Sequence, residues 1–138
     1  MSRKKTFKNE KWESNNTQVK KFTKICDDMM ESMAWKELGL ESQGLYLFLK
    51  KKYIKKSDGS DNSNDIHIVN KDYRILKKSK NSIMKYLDIL IDKGFIKVIA
   101  HGKFARKPNI YGFSDKWKKY NTKDFIIHPN DKRLTIKK

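Results

Sequence analysis

The stretch that most constrains the fold is residues 69–113, where the hydrophobic period changes from helical to alternating. Ser79 suits the N-cap of a helix, because its hydroxyl oxygen can accept a free backbone N–H. Apolar residues then recur at helical spacing, on one face: Ile83, Leu87, Leu90 and Ile91. Gly94 follows, where a left-handed residue commonly ends a helix. The pattern therefore predicts a helix over residues 79–93 that buries one face.

The segments around this helix add a shorter helix and a hairpin. Residues 70–76 predict the shorter helix, with Asn70 as N-cap and with Tyr73 and Leu76 buried. Lys77 and Lys78 form the turn between the two helices. β-Branched residues predict a strand over 95–100, followed by a basic loop over 101–108 and a second strand over 109–113. The predicted order is helix, turn, helix, strand, loop, strand.

This order resembles the winged helix-turn-helix superfamily. The resemblance rests on the junction Leu-Ile-Asp-Lys-Gly-Phe-Ile (90–96) and the hairpin after it, on Met33-Ala34-Trp35, and on Tyr-Gly-Phe-Ser-Asp-Lys-Trp-Lys-Lys-Tyr (111–120). Together these motifs are similar to the small winged-helix proteins carried by bacterial phages, plasmids and integrative elements. The resemblance covers about residues 22–125. It implies DNA binding by the second helix of the motif and by the loop, or wing, and leaves the DNA target open.

The rest of the chain fits an α+β protein built around this motif. We expect a flexible basic arm over 1–21, a winged-helix domain over 22–120 and an extended or partly ordered tail over 121–138. The domain should hold a three-helix core, a short strand and the β-hairpin wing. Three further elements are predicted: a short helix within 22–35 that starts at Asp27-Asp28 and buries its methionines and aromatic residues, a helix over 41–55, and a strand over 66–68 that pairs with the hairpin.

The charge of the chain predicts a polyanionic partner. The net charge is +17, and residues 69–120 carry 14 basic and 4 acidic residues, which places +10 on the motif itself. A composition bias alone would not concentrate charge on one motif, so nucleic acid is the first expectation and an anionic membrane the second.

Other classes of protein are disfavoured by the sequence. No apolar run reaches the roughly 18 residues of a membrane span, and the basic start lacks the apolar core of a secretory signal. A lone Cys26 fits a reducing cytosol, so we expect a cytoplasmic protein. No catalytic or nucleotide-binding motif occurs, and the acidic loop at 56–65 does not match a calcium loop. We therefore expect no enzyme, no cofactor and no metal.

The facing of the second helix selects candidate DNA contacts. Its N-terminal half should enter the major groove, where Asn81 can pair with adenine and a lysine can reach guanine or phosphate. The predicted base contacts are Lys80, Asn81, Met84 and Lys85. The predicted phosphate contacts are Lys71, Lys77, Lys78, Ser79 and Ser82. The predicted wing contacts are Lys103, Arg106 and Lys107. Asp88 shares the exposed face and should lie away from the DNA backbone, because phosphate would repel it.

Three functions are consistent with these residues. The first is sequence-preferring binding of double-stranded DNA, in transcriptional regulation or in marking an origin or transfer site on a mobile element. The second is a nucleoprotein-assembly module that recruits replication or transfer proteins and binds nucleic acid weakly. The third is single-stranded nucleic-acid binding through stacked aromatic residues, which is disfavoured because the aromatic residues follow core periods. A homodimer stays open, because no heptad marks a dimer helix.

Overall fold

The computed structural model describes residues 23–102 and 107–133, which form an α+β structure. The elements of the described residues are five helices, one antiparallel hairpin and two 3₁₀ turns. The helices are α1 (Asp27–Glu31), α2 (Met33–Lys36), α3 (Leu40–Lys51), α4 (Asn70–Leu76) and α5 (Lys80–Asp92). The strands are β1 (Ile96–Ala100) and β2 (Ile110–Phe113), and the 3₁₀ turns are Lys116–Lys119 and Pro129–Asp131. Within this part of the chain, none of the helices has the length and apolarity needed to cross a membrane.

The single helix predicted within residues 22–35 is two short helices, broken at Ser32. Its backbone is extended (ψ 149°), its hydroxyl donates to Met29 O at 2.6 Å, and its Oγ accepts from Trp35 N at 3.2 Å. One serine therefore ends α1 and caps α2. The expected start at Asp27-Asp28 is confirmed. The expectation that the methionines are buried is wrong for Met30 and for Met33, which is 54% exposed, because the break turns both outward.

The helix predicted over residues 41–55 is also shorter, since α3 ends at Lys51. Asn62 returns to its end: the Asn62 amide donates to Lys52 O at 2.9 Å and accepts from Ile54 N at 2.7 Å. Lys55 then pairs with Asp61 in an isolated antiparallel bridge. The Asn62 side chain thus satisfies backbone groups that follow α3, which ends the helix there. The same hydrogen bonds hold the acidic loop over residues 56–65 against the end of α3.

Helix α4 has the predicted bounds, but its cap and its buried residue are different. The N-cap is Val69 rather than Asn70, and the Asp72 carboxylate accepts from Val69 N at 2.8 Å. Asp72 is only 2% exposed and also accepts from Lys52 Nζ at 2.8 Å, whereas Tyr73 and Leu76 are partly buried. The carboxylate is buried because a cation and a backbone N–H both stabilise it, and the ion pair joins the end of α3 to the start of α4.

Helix α5 matches its prediction at both ends. Ser79 is the N-cap, and its Oγ accepts from Ser82 N at 3.2 Å. At the other end Gly94 has φ +86°, with hydrogen bonds from Gly94 N to Ile91 O and from Phe95 N to Leu90 O, both 3.0 Å. This is the Schellman arrangement, in which a left-handed residue satisfies the last carbonyls. A Cβ on Gly94 would also lie 2.6 Å from Trp117 N, so the position requires glycine.

The hairpin has the predicted antiparallel strands, each one residue shorter at its start. Ile96 pairs with Phe113 and Val98 with Tyr111, and the register shifts between Val98 and Ala100. The short strand predicted over residues 66–68 is reduced to one bridge between Ile66 and Tyr111, with bonds of 2.9 and 2.8 Å. Only one residue pairs, so this segment is not a full third strand.

An aromatic cluster forms the centre of the core, between α3, α5 and the hairpin. Trp35, Tyr46 and Phe95 meet edge to face, with ring centroids 5.5–5.8 Å apart. Trp117 stacks on Phe95 at 5.9 Å, so the turn after the hairpin packs against the core. Such pairs stabilise a core beyond their buried area.

Residues 121–133 run back across the domain. Phe125 meets Tyr120 edge to face at 5.2 Å, and Lys116 pairs with Asp131 at 2.7 Å. Arg133 reaches Asp88 on α5. The part of the tail up to Arg133 is therefore held by side-chain contacts.

Candidate nucleic-acid interface

The packing of α5 fixes which of its side chains face outward. The predicted apolar stripe is buried in full, and Leu87 in its middle is 0% exposed, so the predicted facing is confirmed. Lys80, Asn81 and Lys85 are exposed, as expected from that facing. The first half of α5 therefore presents two cations and one amide.

Met84 and Asp88 are less exposed than the sequence indicates. Met84 is partly buried and packs against the core. It also lines a cleft beside residues 107–109, which end the hairpin loop (defined here as residues 101–109). Asp88 is partly covered by Arg133. Of the four predicted base contacts, Met84 is thus the least accessible.

The predicted phosphate contacts surround the start of α5. Lys71 and Lys77 are exposed, and Lys77 adopts the left-handed conformation (φ 55°) that makes the turn before α5. Lys78 lies 3.3 Å from the Glu41 carboxylate, in an exposed ion pair that weakens its positive potential. Ser79 and Ser82 bond to each other, Oγ to Oγ at 3.0 Å. The three lysines are therefore better placed to contact an anion than the two serines.

The cleft beside α5 has a volume of about 600 Å³. Its lining comes from the segment before α4, from α4, α5 and β2, and from the hairpin loop: Ile68, Val69, Asn70, Tyr73, Lys80, Met84, Lys107, Pro108, Asn109 and Tyr111. Burial raises the pKa of both Tyr73 and Tyr111 above its ordinary value. The cleft thus combines aromatic walls with a lysine from each side, Lys80 and Lys107.

Lys107 is the predicted wing contact that lies within the described residues of the hairpin loop. Lys103 and Arg106, two of the three predicted wing contacts, lie outside the described residues. Lys107 is exposed at the base of the loop, and its N–H donates to Gly102 O at 2.9 Å. Asn109 Oδ1 accepts from Gly102 N at 2.9 Å, which closes the base. Lys107 is therefore held beside the cleft and near Lys80.

Arg133 lies against α5 although no sequence pattern predicts this contact. Its guanidinium donates to Asp88 from Nε and Nη2, both at 2.7 Å, and the hydrogen bond to this carboxylate raises the pKa of Arg133. Next to it, Lys132 Nζ lies 3.8 Å from Asp92 Oδ1. No local pattern links these residues, because 45 positions separate Arg133 from Asp88.

Metal ligands are not grouped here. In residues 23–102 and 107–133, no cluster of three or more histidine, cysteine, aspartate or glutamate side chains could hold a metal ion.

The comparisons with known proteins gave no match to this chain among protein-family models, curated proteins or solved structures.

Proposed function

We propose that this chain is a winged helix-turn-helix protein that binds double-stranded DNA with a preference for sequence. The observation that carries the proposal is the outward face of α5, where Lys80, Asn81 and Lys85 are exposed beside the base of the hairpin loop. This face belongs to the stretch of residues 69–120 with a net charge of +10. A basic, amide-bearing helix face next to a basic loop suits a DNA groove.

The proposed contacts divide into those that specify and those that position. Asn81 reads adenine with its paired amide groups, and Lys80 or Lys85 reads guanine or contacts phosphate. Lys71, Lys77 and Lys78 hold the phosphates on the side of the turn. The hairpin loop lies over the neighbouring minor groove, where Arg106 would be favoured if the groove is narrow. Met84 contributes an apolar contact at the edge of the cleft.

The biological role follows the same proposal. Such a protein would act in the cytoplasm, without a cofactor and without catalysis, as a transcriptional regulator or as the protein that marks an origin or transfer site on a mobile element. Dimerisation on a palindromic site would double the contacts.

The assembly-module alternative is favoured by one observation on α3. Leu40 is 85% exposed and Leu47 is exposed on the same side of the helix, at i and i+7. Gly44 lies between them with open space around its Cα. An apolar stripe on the surface suits a protein partner, such as a replication or transfer protein, better than it suits DNA.

The experiment that tests the proposal is selection of bound sequences from random duplex DNA, followed by Asn81→Ala. We expect one recovered motif and a loss of roughly 1–3 kcal/mol on that motif alone, because a base contact specifies sequence. Lys78→Ala should weaken all duplexes alike. Asn64→Ala, an exposed asparagine on the loop after α3, is the matched control and should change neither. Equal losses on the selected motif and on random DNA for Asn81→Ala would remove Asn81 from base reading.

A further inference from the structure

We propose that residues 131–133 support the DNA-binding surface from behind, in that Arg133 neutralises Asp88 on the outward face of α5. The inference rests on the proposed function and adds a positioning residue to it. Its basis is the ion pair between Arg133 of the tail and Asp88 of α5, which the sequence pattern does not predict.

Asp88 lies on the outward face of α5, and we replace the expectation that it points away from the DNA backbone with an ion pair that neutralises it. It follows Asn81 by seven residues, so the two side chains are nearly in line and about 10 Å apart along the helix axis. Lys85 lies between them on the same face. An unpaired carboxylate at this position would repel the phosphates that the proposed interface has to approach.

The side chains of α5 carry no net charge. Its sequence, KNSIMKYLDILID, has two lysines, Lys80 and Lys85, and two acids, Asp88 and Asp92. A helix that binds DNA through electrostatics gains little from such a balance. In α5, both aspartates form ion pairs with basic residues of the tail: Arg133 pairs with Asp88, and Lys132 pairs with Asp92. The tail thereby makes this face positive.

The Arg133–Asp88 contact is geometrically strong. Two parallel hydrogen bonds of 2.7 Å join the guanidinium and both carboxylate oxygens. The Arg133 side chain is 19% exposed and the Asp88 side chain is 45% exposed, so solvent reaches the carboxylate more than the guanidinium. A two-point contact also fixes the orientation of the arginine.

Other contacts hold the same segment in place. Asp131 accepts from Lys116 Nζ at 2.7 Å, which links the segment to the turn after the hairpin. His101 Nε2 lies 2.8 Å from Lys132 O, which links it to the first residue of the hairpin loop. The segment that places Arg133 against α5 therefore also contacts the hairpin loop, the second proposed DNA-binding element.

The test is duplex-DNA affinity of the full chain at moderate salt, for four variants and the wild type. Arg133→Ala uncovers Asp88 and should weaken binding by about tenfold or more. Asp88→Asn in the same chain removes the exposed charge, so Asp88→Asn/Arg133→Ala should regain most of the affinity. Asp88→Asn alone should bind at least as tightly as the wild type. Lys123→Ala removes one exposed tail cation outside the interface and is the matched control, with a change below about twofold expected.

The outcomes separate this inference from the proposed function. A wild-type chain that does not bind duplex DNA contradicts the proposed function itself. A wild type that binds, with Arg133→Ala within twofold of it, overturns only the inference. A double variant as weak as Arg133→Ala also overturns it, because the arginine would then contact DNA rather than neutralise Asp88. If melting shows that Arg133→Ala is unfolded, Arg133→Lys keeps the charge, and affinity near the wild type is then required.

Discussion

Tyr46 illustrates how a single residue couples the fold to pH. Its ring is buried at the centre of the aromatic cluster, against Trp35 and Phe95. Burial raises the pKa of Tyr46 from 10.0 to about 12, with a smaller contribution from nearby Cys26. The neutral phenol is therefore required in the folded state, whereas the unfolded chain can ionise it at its ordinary pKa.

Tyr46→Phe should reduce the alkaline loss of stability. A tyrosine whose pKa is raised on folding supports the fold below pH 10 and loses that contribution as the pH rises from 10 towards 12. The loss amounts to roughly 2–3 kcal/mol for this residue. The measurement is the free energy of unfolding from urea titrations between pH 8 and pH 11.5. If the wild type and Tyr46→Phe lose stability in parallel over that range, the phenol does not ionise only in the unfolded state.

Leu87→Ala tests the facing of α5 at one residue. Leu87 is 0% exposed in the middle of the buried stripe, so the truncation should cost about 2–5 kcal/mol. Thermal melting measures the effect. Leu40→Ala is the matched control, because Leu40 is 85% exposed and its truncation should stay within about 0.5 kcal/mol. Similar melting temperatures for the two variants would mean that the facing of α5, and with it the outward set, is wrong.

At the scale of elements, the sequence predicted the helix ends that are set by neighbouring residues. Helix α5 has its own N-cap, Ser79, and its own terminator, Gly94, and both ends were predicted. The C-terminal end of α3 and the break between α1 and α2 were not. Ser32 separates α1 from α2, because its hydroxyl donates to Met29 O and accepts from Trp35 N. Asn62 ends α3 from a position ten residues beyond Lys52, the C-cap of that helix. Propensity carries no signal for either event, since serine and asparagine also occur in loops.

The hairpin loop should act through its charge and not through stability. Replacing Lys103, Arg106 and Lys107 together by alanine removes three positive charges from a loop that the sequence predicts to lie in solvent, and surface substitutions usually change stability by no more than about 0.5 kcal/mol each. Duplex affinity should fall by well over tenfold at moderate salt. Fluorescence anisotropy on A·T-rich and G·C-rich flanks, with a melting curve as control, measures both effects. A larger loss on A·T-rich flanks is expected if Arg106 enters a narrow minor groove. Unchanged affinity in a folded variant would favour the assembly-module alternative.

At the scale of the whole molecule, ion pairs that join separate elements connect residues far apart in the chain. Arg133 and Asp88 are 45 positions apart, and Lys52 and Asp72 are 20 apart. The sequence predicted the α+β class, the hairpin and the outward lysines and asparagine of α5, because these follow from local period and capping. It did not predict that the tail returns to α5, because a charge far along the chain carries no sign of its partner. The tail's folding back also explains how a helix without net charge can belong to a basic surface.

The central claim, that the positive surface around α5 binds duplex DNA, is tested most directly by the salt dependence of binding. If the +10 stretch of residues 69–120 neutralises about five phosphates, the logarithm of the binding constant should fall with the logarithm of salt concentration at a slope of roughly −4 to −5. The measurement is a fluorescence-anisotropy titration of one labelled duplex from low to moderate salt. A slope in that range is the predicted result. A slope near zero, or no binding at low salt, would contradict the claim.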